Sequence, residues 1–206
     1  AKEEKMHFKS FFGYNFWIAA SLAISAIPID NYLLLSLAGP VATGLFAAPF
    51  KILATTYQFA GGFSRVLAPR FSSFDSARKA REFAKKGIVP TFCIFLLILG
   101  IGLFAPLIEF FWGTDYAGSI TVFRILTIGM AFFFADTIPM AIILYYFGKS
   151  KIAFYVTVLH YLIYPILLVL LIPTYSHVGA ALAFAVSEVI TFVVLVSYVL
   201  IKFKKL

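Results

Sequence analysis

Acidic charge is the scarcest resource in this chain. Its 206 residues include nine Asp and Glu against seventeen Lys and Arg, and only 13% of positions are charged at all. A soluble domain is about one quarter charged and about 45–50% apolar. Here 62% of residues are hydrophobic and the mean hydropathy is +0.98, which excludes an ordinary water-soluble fold and describes an integral membrane protein. Cysteine occurs once, as Cys93 within an apolar run, so neither a disulfide framework nor a thiolate metal cluster can form within the chain. There is no Asn-x-Ser/Thr acceptor, no His-Glu-x-x-His pair, no Gly-rich phosphate loop and no paired-aspartate motif for Mg²⁺. These absences nominate no catalytic residue, metal or cofactor and speak against an enzyme. The formal charge of +8 would suggest nucleic acid in a soluble protein, but the basic residues sit in short segments between apolar runs, which is the signature of membrane topology instead. The opening AKEEKMHFKS has no cleavable signal pattern and begins with Ala, from which we expect the numbering to start inside a longer polypeptide.

What is present is apolar length. About 20 apolar residues cross a hydrocarbon core of roughly 30 Å, and six segments qualify: 11–37, 43–68, 87–112, 119–147, 152–172 and 179–201. None alternates with period two, so the fold class expected is all-α, a six-helix transmembrane bundle over 11–201 with tails at 1–10 and 202–206. Basic residues fall in the N-terminal tail (Lys2, Lys5, Lys9), the second connector (Arg70 to Lys86), the fourth (Lys149, Lys151) and the C-terminus (Lys202, Lys204, Lys205). The other connectors hold none, which places both termini in the cytoplasm. Residues 73–86 read as an amphipathic linker helix lying on the acidic inner leaflet, an anchor to membrane lipids.

Polar residues inside the spans are rare and therefore informative. Lys51, Thr55, Gln58, Gly62 and Arg65 recur at i, i+4, i+7, i+11 and i+14, one narrow stripe along the second helix. Asp30 and Lys51 lie about equally far from the Ala38-Gly39-Pro40 turn, at matching depth on antiparallel helices. Either they form a salt bridge, or Lys51 faces a cavity and meets an anion while Asp30 modulates it. Glu109 and Arg124 are similarly placed about the third connector, as a rim ion pair or with Arg124 as an outer anion contact. Arg65 either snorkels to the interface or completes the stripe. His160 and Glu188 both fall near the midplane, as a neutral hydrogen-bonded pair or a proton-coupling pair. Asp136, beside Pro139, is a second candidate for ion coupling. Pro28, Pro139 and Pro165 interrupt helical spans and free backbone carbonyls there.

Four segments, PIDNYLLLSLAGPVATGLFAAPFKI, APRFSS, FFWGTDYAGSITVFRIL and HVGAALAFAVSEVI, resemble the C-terminal half of polysaccharide flippases, the O-antigen and exopolysaccharide exporters of the multidrug, oligosaccharidyl-lipid and polysaccharide superfamily. The resemblance covers nearly the whole chain from about Lys9. It implies one six-helix lobe of a two-lobe transporter in the inner membrane that moves a polyprenyl-pyrophosphate-linked oligosaccharide to the outer leaflet by alternating access. It also implies a missing partner, an N-terminal lobe or, failing that, a second copy of this chain. On that pattern the Lys51 stripe walls the central cavity. Lys51, Arg65 and Arg124 are the cations available to a diphosphate, Thr55 and Gln58 hydrogen-bond the glycan, and Asp30 stands beside them. A multidrug exporter of the same superfamily and a lipid II flippase are the alternatives, with a membrane lipid-modifying enzyme behind them.

Overall fold

The computed structural model describes the backbone of residues 8–205 and the side chains of residues 12–205. Lys2, Lys5 and Leu206 of the expected tails, with the side chain of Lys9, lie outside the described residues. The described chain is helical with no strand. Its α-helices are α1 (Phe8–Ser25), α2 (Ile29–Leu53), α3 (Thr55–Ser72), α4 (Ala77–Ile101), α5 (Leu107–Trp112), α6 (Ser119–Ala135), α7 (Thr137–Ala141) and α8 (Ser150–Lys204). A π-helical turn, Ile142–Tyr146, follows α7. Among the described residues four stretches are long and apolar enough to cross a membrane: Phe12–Ser72, Ala77–Phe104, Ser119–Tyr146 and Ser150–Lys204.

Two of these stretches, of 61 and 55 residues, would each be about 80–90 Å long if straight, nearly three times a hydrocarbon core. They are not straight. Gly39, at φ 83° and ψ 178°, breaks α2 in a conformation open to glycine because it has no Cβ. Asp30 before the break bonds Tyr164, Phe50 after it packs on Phe184, and the Tyr164 and Phe184 rings are themselves 6.1 Å apart. Residues 20 apart on a straight helix would be separated by about 30 Å, so the chain folds back at Gly39. Ser176, at φ 52° and ψ −131°, does the same in α8. His160 before it reaches Thr191 and Glu188 after it. The return strand passes so close that a Cβ on Gly179 would lie 2.3 Å from the Leu171 carbonyl oxygen.

Around these hairpins α6 is the central helix. Two thirds of the most apolar 18-residue segment of Ser119–Tyr146 is buried, against a third or less of the corresponding segments of the others. Leu34, Phe46, Leu126, Met130 and Leu168 form the heart of one apolar core, and Phe71, Ile143 and Leu195 that of a second. In lipid such contacts are held by close van der Waals packing rather than by release of water.

The second core marks the basic end of the bundle. Arg81 of α4 donates to the Phe203 carbonyl and lies over the Phe203 ring, while Phe147, ahead of α8, packs on the same ring at 5.2 Å. The second connector, the fourth and the chain's last helical turn therefore meet at one end, as the distribution of Lys and Arg requires.

The interruption expected at Pro28 is present: α1 stops at Ser25, and residues 26–28 are non-helical. The one expected at Pro165 is not, since α8 keeps helical angles there. The basic linker runs on into the next span as one helix. Ala77 to Lys86 are the opening turns of α4 itself, started by Ser76, whose hydroxyl accepts from the Lys79 amide at 3.4 Å. These turns are held down by Phe83, which packs on Phe71 and Phe74.

Candidate functional site: a sealed polar cluster and an exposed cationic stripe

The broken helix at Pro28 builds the first half of the site. Asp30 is buried, 7% exposed, in the first turn of α2, where the unpaired amides of a helix N-terminus favour a carboxylate. Its Oδ1 accepts from the Asn31 amide at 2.8 Å and its Oδ2 from the Tyr164 hydroxyl at 3.3 Å. The carbonyl of Ser25, freed by the break, accepts from the Tyr161 hydroxyl at 3.0 Å. One turn of α8 thus supplies two tyrosines that satisfy both sides of the interruption, which is how a broken helix is tolerated away from water.

His160 continues this row, its ring 5.3 Å from Tyr161 and 5.7 Å from Tyr164. Its Nδ1 lies 3.1 Å from the Thr191 hydroxyl, and that hydroxyl donates its one proton to the Ser187 carbonyl. The imidazole must therefore donate from Nδ1. Nε2 is left facing Glu188 Oε1 at 3.9 Å, too far for a direct hydrogen bond. Two lone pairs would face each other there unless a proton resides on one of the two groups, so the pair is a natural proton holder. The sequence expectation that His160 and Glu188 meet is borne out; the direct hydrogen bond is not formed. Asp136, at the junction of α6 and α7, is near enough to Glu188 for their charges to interact, and its Oδ1 is buried without a hydrogen-bond partner. Tyr57 of α3 lies within electrostatic reach of both Glu188 and Asp30. Three buried acids, one imidazole and three tyrosines are thereby brought together. No Lys or Arg pairs with any of these acids among the described residues.

The second half of the site is the stripe. Lys51, Thr55, Gln58, Gly62 and Arg65 are all exposed. Leu53, Thr56, Ala60, Leu67 and Phe71 are all buried. At about 100° per residue the two sets lie roughly 180° apart around the helix, and Ala54 keeps α-region angles so the phase carries from α2 into α3. The bundle thus turns this polar face outward. The Asp30–Lys51 salt bridge does not form: Asp30 is taken by Tyr164 inside, and Lys51 points to the opposite side. Thr55 donates its hydroxyl to the Ile52 carbonyl at 2.8 Å, leaving only acceptor capacity for a ligand. Arg124 is exposed on α6 and makes no ion pair with Glu109 among the described residues, so the rim bridge is also corrected.

Beside Lys51 is an open depression of about 470 Å³. Gly44, Ala47 and Ala48 keep its floor low, one to two turns before Lys51 on the same helix. Trp112 and Tyr116, with ring centroids 5.7 Å apart, form its aromatic wall. The sequence offered little to single out these two aromatics among 25 Phe, 11 Tyr and two Trp. Their signal was a position in and beside the short polar connector before α6, whose first residue, Ser119, donates its hydroxyl to the Leu45 carbonyl at 2.8 Å.

A multi-pass helical membrane protein with a polar face turned out of its bundle is the class this architecture defines. Comparison with known proteins narrows it. The chain is 24% identical over 188 residues to a protein of Shigella flexneri named "Putative O-antigen transporter", covering 89% of this chain and 45% of that protein. It is 28% identical over 200 residues to capsular polysaccharide biosynthesis protein CapF of Staphylococcus aureus, covering 93% and 49%. It is 31% identical over 181 residues to an uncharacterized membrane protein of Methanocaldococcus jannaschii, covering 86% and 42%. The resemblance to polysaccharide flippases is borne out by these relatives, and the chain spans about half the length of each. No family model matches the chain, and no solved structure matches it significantly.

Proposed function

We propose that this chain is one lobe of a polysaccharide exporter, with six crossings and the basic end on the cytoplasmic side, that passes a polyprenyl-pyrophosphate-linked oligosaccharide from the inner to the outer leaflet. The single observation that carries this reading is the stripe. Fixed cations and hydrogen-bonding groups run about 20 Å along a helix on the face opposite its buried side, and a bundle half the length of its relatives leaves that face for another lobe to cover. Two such faces apposed would enclose a polar path with lipid excluded.

Within the path, Lys51 meets the diphosphate or an acidic sugar, a desolvated charge pair of the kind that gives strong hydrogen bonds. Trp112 and Tyr116 offer flat apolar surfaces to the glycan beside it, Gln58 and Thr55 bond its hydroxyls, and Arg65 receives the anion nearer the basic end. Arg124 is a further cation for the outer stage. The His160–Glu188 pair, with Asp136 and Asp30, takes up and releases a proton or cation as the lobe rocks, which supplies a driving force.

The test is translocation of a polyprenyl-pyrophosphate-linked glycan in proteoliposomes, with the natural full-length product and its Lys51→Ala variant. Loss of a charge-assisted contact predicts a fall of about tenfold to a hundredfold in rate for the variant. Unchanged transport removes Lys51 from the path. Failure of the full-length protein to move glycan lipid, with export of a cationic dye instead, overturns the substrate class.

A further inference from the structure

A second crevice, larger than the depression beside Lys51, shares no lining residue with the stripe. It encloses about 760 Å³ between α4, the α6–α7 segment and the last turns of α8. Along α4 the residues on its wall recur at helical spacing from Arg81 through Lys85 and Ile88 to Phe95, and on α8 from Lys204 back to Phe192. Because the two helices run in opposite directions, the basic ends coincide: Arg81, Lys85 and Lys204 stand together at the mouth. No acidic side chain lines the crevice. Arg81 is held in place by its bond to the Phe203 carbonyl. Below the mouth the walls are apolar except for Thr91, which is buried with an unpartnered hydroxyl oxygen. Phe95, Phe132 and Phe192 close the deep end, with ring centroids 5.2 and 5.5 Å apart. Ile88, Phe92 and Leu200 on its rim are more than half exposed, so the crevice opens sideways toward lipid.

We infer that this crevice is a binding site for an anionic phospholipid of the leaflet at the basic end. The fourteen helical steps from Arg81 to Phe95 span about 21 Å, enough to cover one leaflet of about 15 Å in a hydrocarbon core roughly 30 Å thick and to bring the mouth to the depth of the headgroups. One acyl chain lies between α4 and α8 and its phosphate sits among three cations. A zwitterionic lipid fills the walls equally well but lacks the net charge that the mouth selects. The site is a fixed lipid contact at the joint between α4 and α8, separate from the proposed export path.

The test uses the purified full chain with Trp17→Phe and Trp112→Phe, which removes both native tryptophans, and Phe95→Trp as a reporter at the deep end. It is reconstituted in phosphatidylcholine vesicles containing a small fraction of acyl-brominated phosphatidylglycerol or, in parallel, brominated phosphatidylcholine. The anionic brominated lipid is expected to quench the reporter at about a tenth of the mole fraction needed for the zwitterionic one. A basic side chain near the surface contributes up to about fivefold to such a preference, less where three share one phosphate, so Arg81→Gln/Lys85→Gln/Lys204→Gln abolishes it. Circular dichroism and monodispersity confirm that the variant is folded; should the triple variant not fold, Lys85→Gln/Lys204→Gln, which spares the Arg81 bond, is measured instead. Equal quenching by the two lipids in the parent protein, or an anionic preference that survives neutralisation of the mouth, overturns the inference.

Discussion

The same short list of polar residues is used in two opposite ways in this molecule. The cluster around Asp30, His160 and Glu188 is sealed between helices and rich in acids and tyrosines, and its unsatisfied points are Asn31 Oδ1, Asp136 Oδ1 and the His160–Glu188 gap. The stripe from Lys51 to Arg65 is cationic, outward and almost without internal partners. Burial is costly for a charge unless it is paired or neutral, so the cluster's ionisable groups are acids, an imidazole and tyrosines that can be neutral, while the two cations of the stripe, Lys51 and Arg65, stay on the exposed face. That division separates what holds and modulates the lobe from what meets a ligand.

The largest effect is expected where the cluster depends on chain reversal. Gly179→Val places a Cβ against the Leu171 carbonyl, prevents α8 from folding back at Ser176 and parts His160 from Glu188. Overpacking against fixed backbone predicts a loss of about 3 kcal/mol or more, read as a lowered midpoint of thermal unfolding in detergent. A wild-type midpoint would contradict the hairpin.

A smaller effect sharpens the contrast between the regions. Tyr164→Phe removes the donor to Asp30 inside the cluster and should destabilise by about 1 kcal/mol. Gln58→Ala, on the stripe, should stay within about 0.5 kcal/mol of the parent. Equal costs at the two sites would erase the distinction between sealed and outward polarity.

The smallest effect lies outside both regions, at the start of α4. Lys79 Nζ reaches Asp75 Oδ1 at 3.0 Å, and this hydrogen bond holds the Asp75 carboxyl below its ordinary range. A depressed carboxylate stabilises the fold only while ionised, so its support is complete above the unfolded value and fades as pH falls through the folded one. Asp75→Asn should speed amide exchange slightly in the first turn of α4 at neutral pH, with no difference once the solution is acidic enough to protonate Asp75. A difference that grows on acidification would have the wrong sign.

Much of this arrangement was legible beforehand, because hydropathy and charge spacing are set by the bilayer itself. The all-helical membrane class, the gathering of basic residues at one end and the meeting of His160 with Glu188 follow from hydropathy and from counting residues about a turn. Depth, however, says nothing about direction around a helix. By count Asp30 and Lys51 share a level, yet they face opposite ways, and Glu109 and Arg124 do not pair for want of the same information. Continuity was equally hidden. Pro28 ends a helix whereas Pro165 does not, since the tyrosines that satisfy the break at Ser25 come from more than 130 residues away. The basic linker joined α4 because Phe83 found Phe71 and Phe74, a contact that composition does not reveal. Trp112 and Tyr116 were lost among many aromatics and emerge only beside the low floor of Gly44 and Ala47.

The central claim is that the stripe lines a wet path while its flanks face lipid, and cysteine accessibility tests it directly. In the full-length product with Cys93 replaced by Ser, single cysteines at Lys51, Gln58 and Arg65 are compared with cysteines at Phe59 and Val66, which are exposed on the adjacent side of the same helix. The account predicts rapid labelling of the first three by a membrane-impermeant maleimide and protection of the other two. Protection of the stripe together with labelling of Phe59 and Val66 would contradict it, and would turn the cationic face from a path into a surface packed away from water.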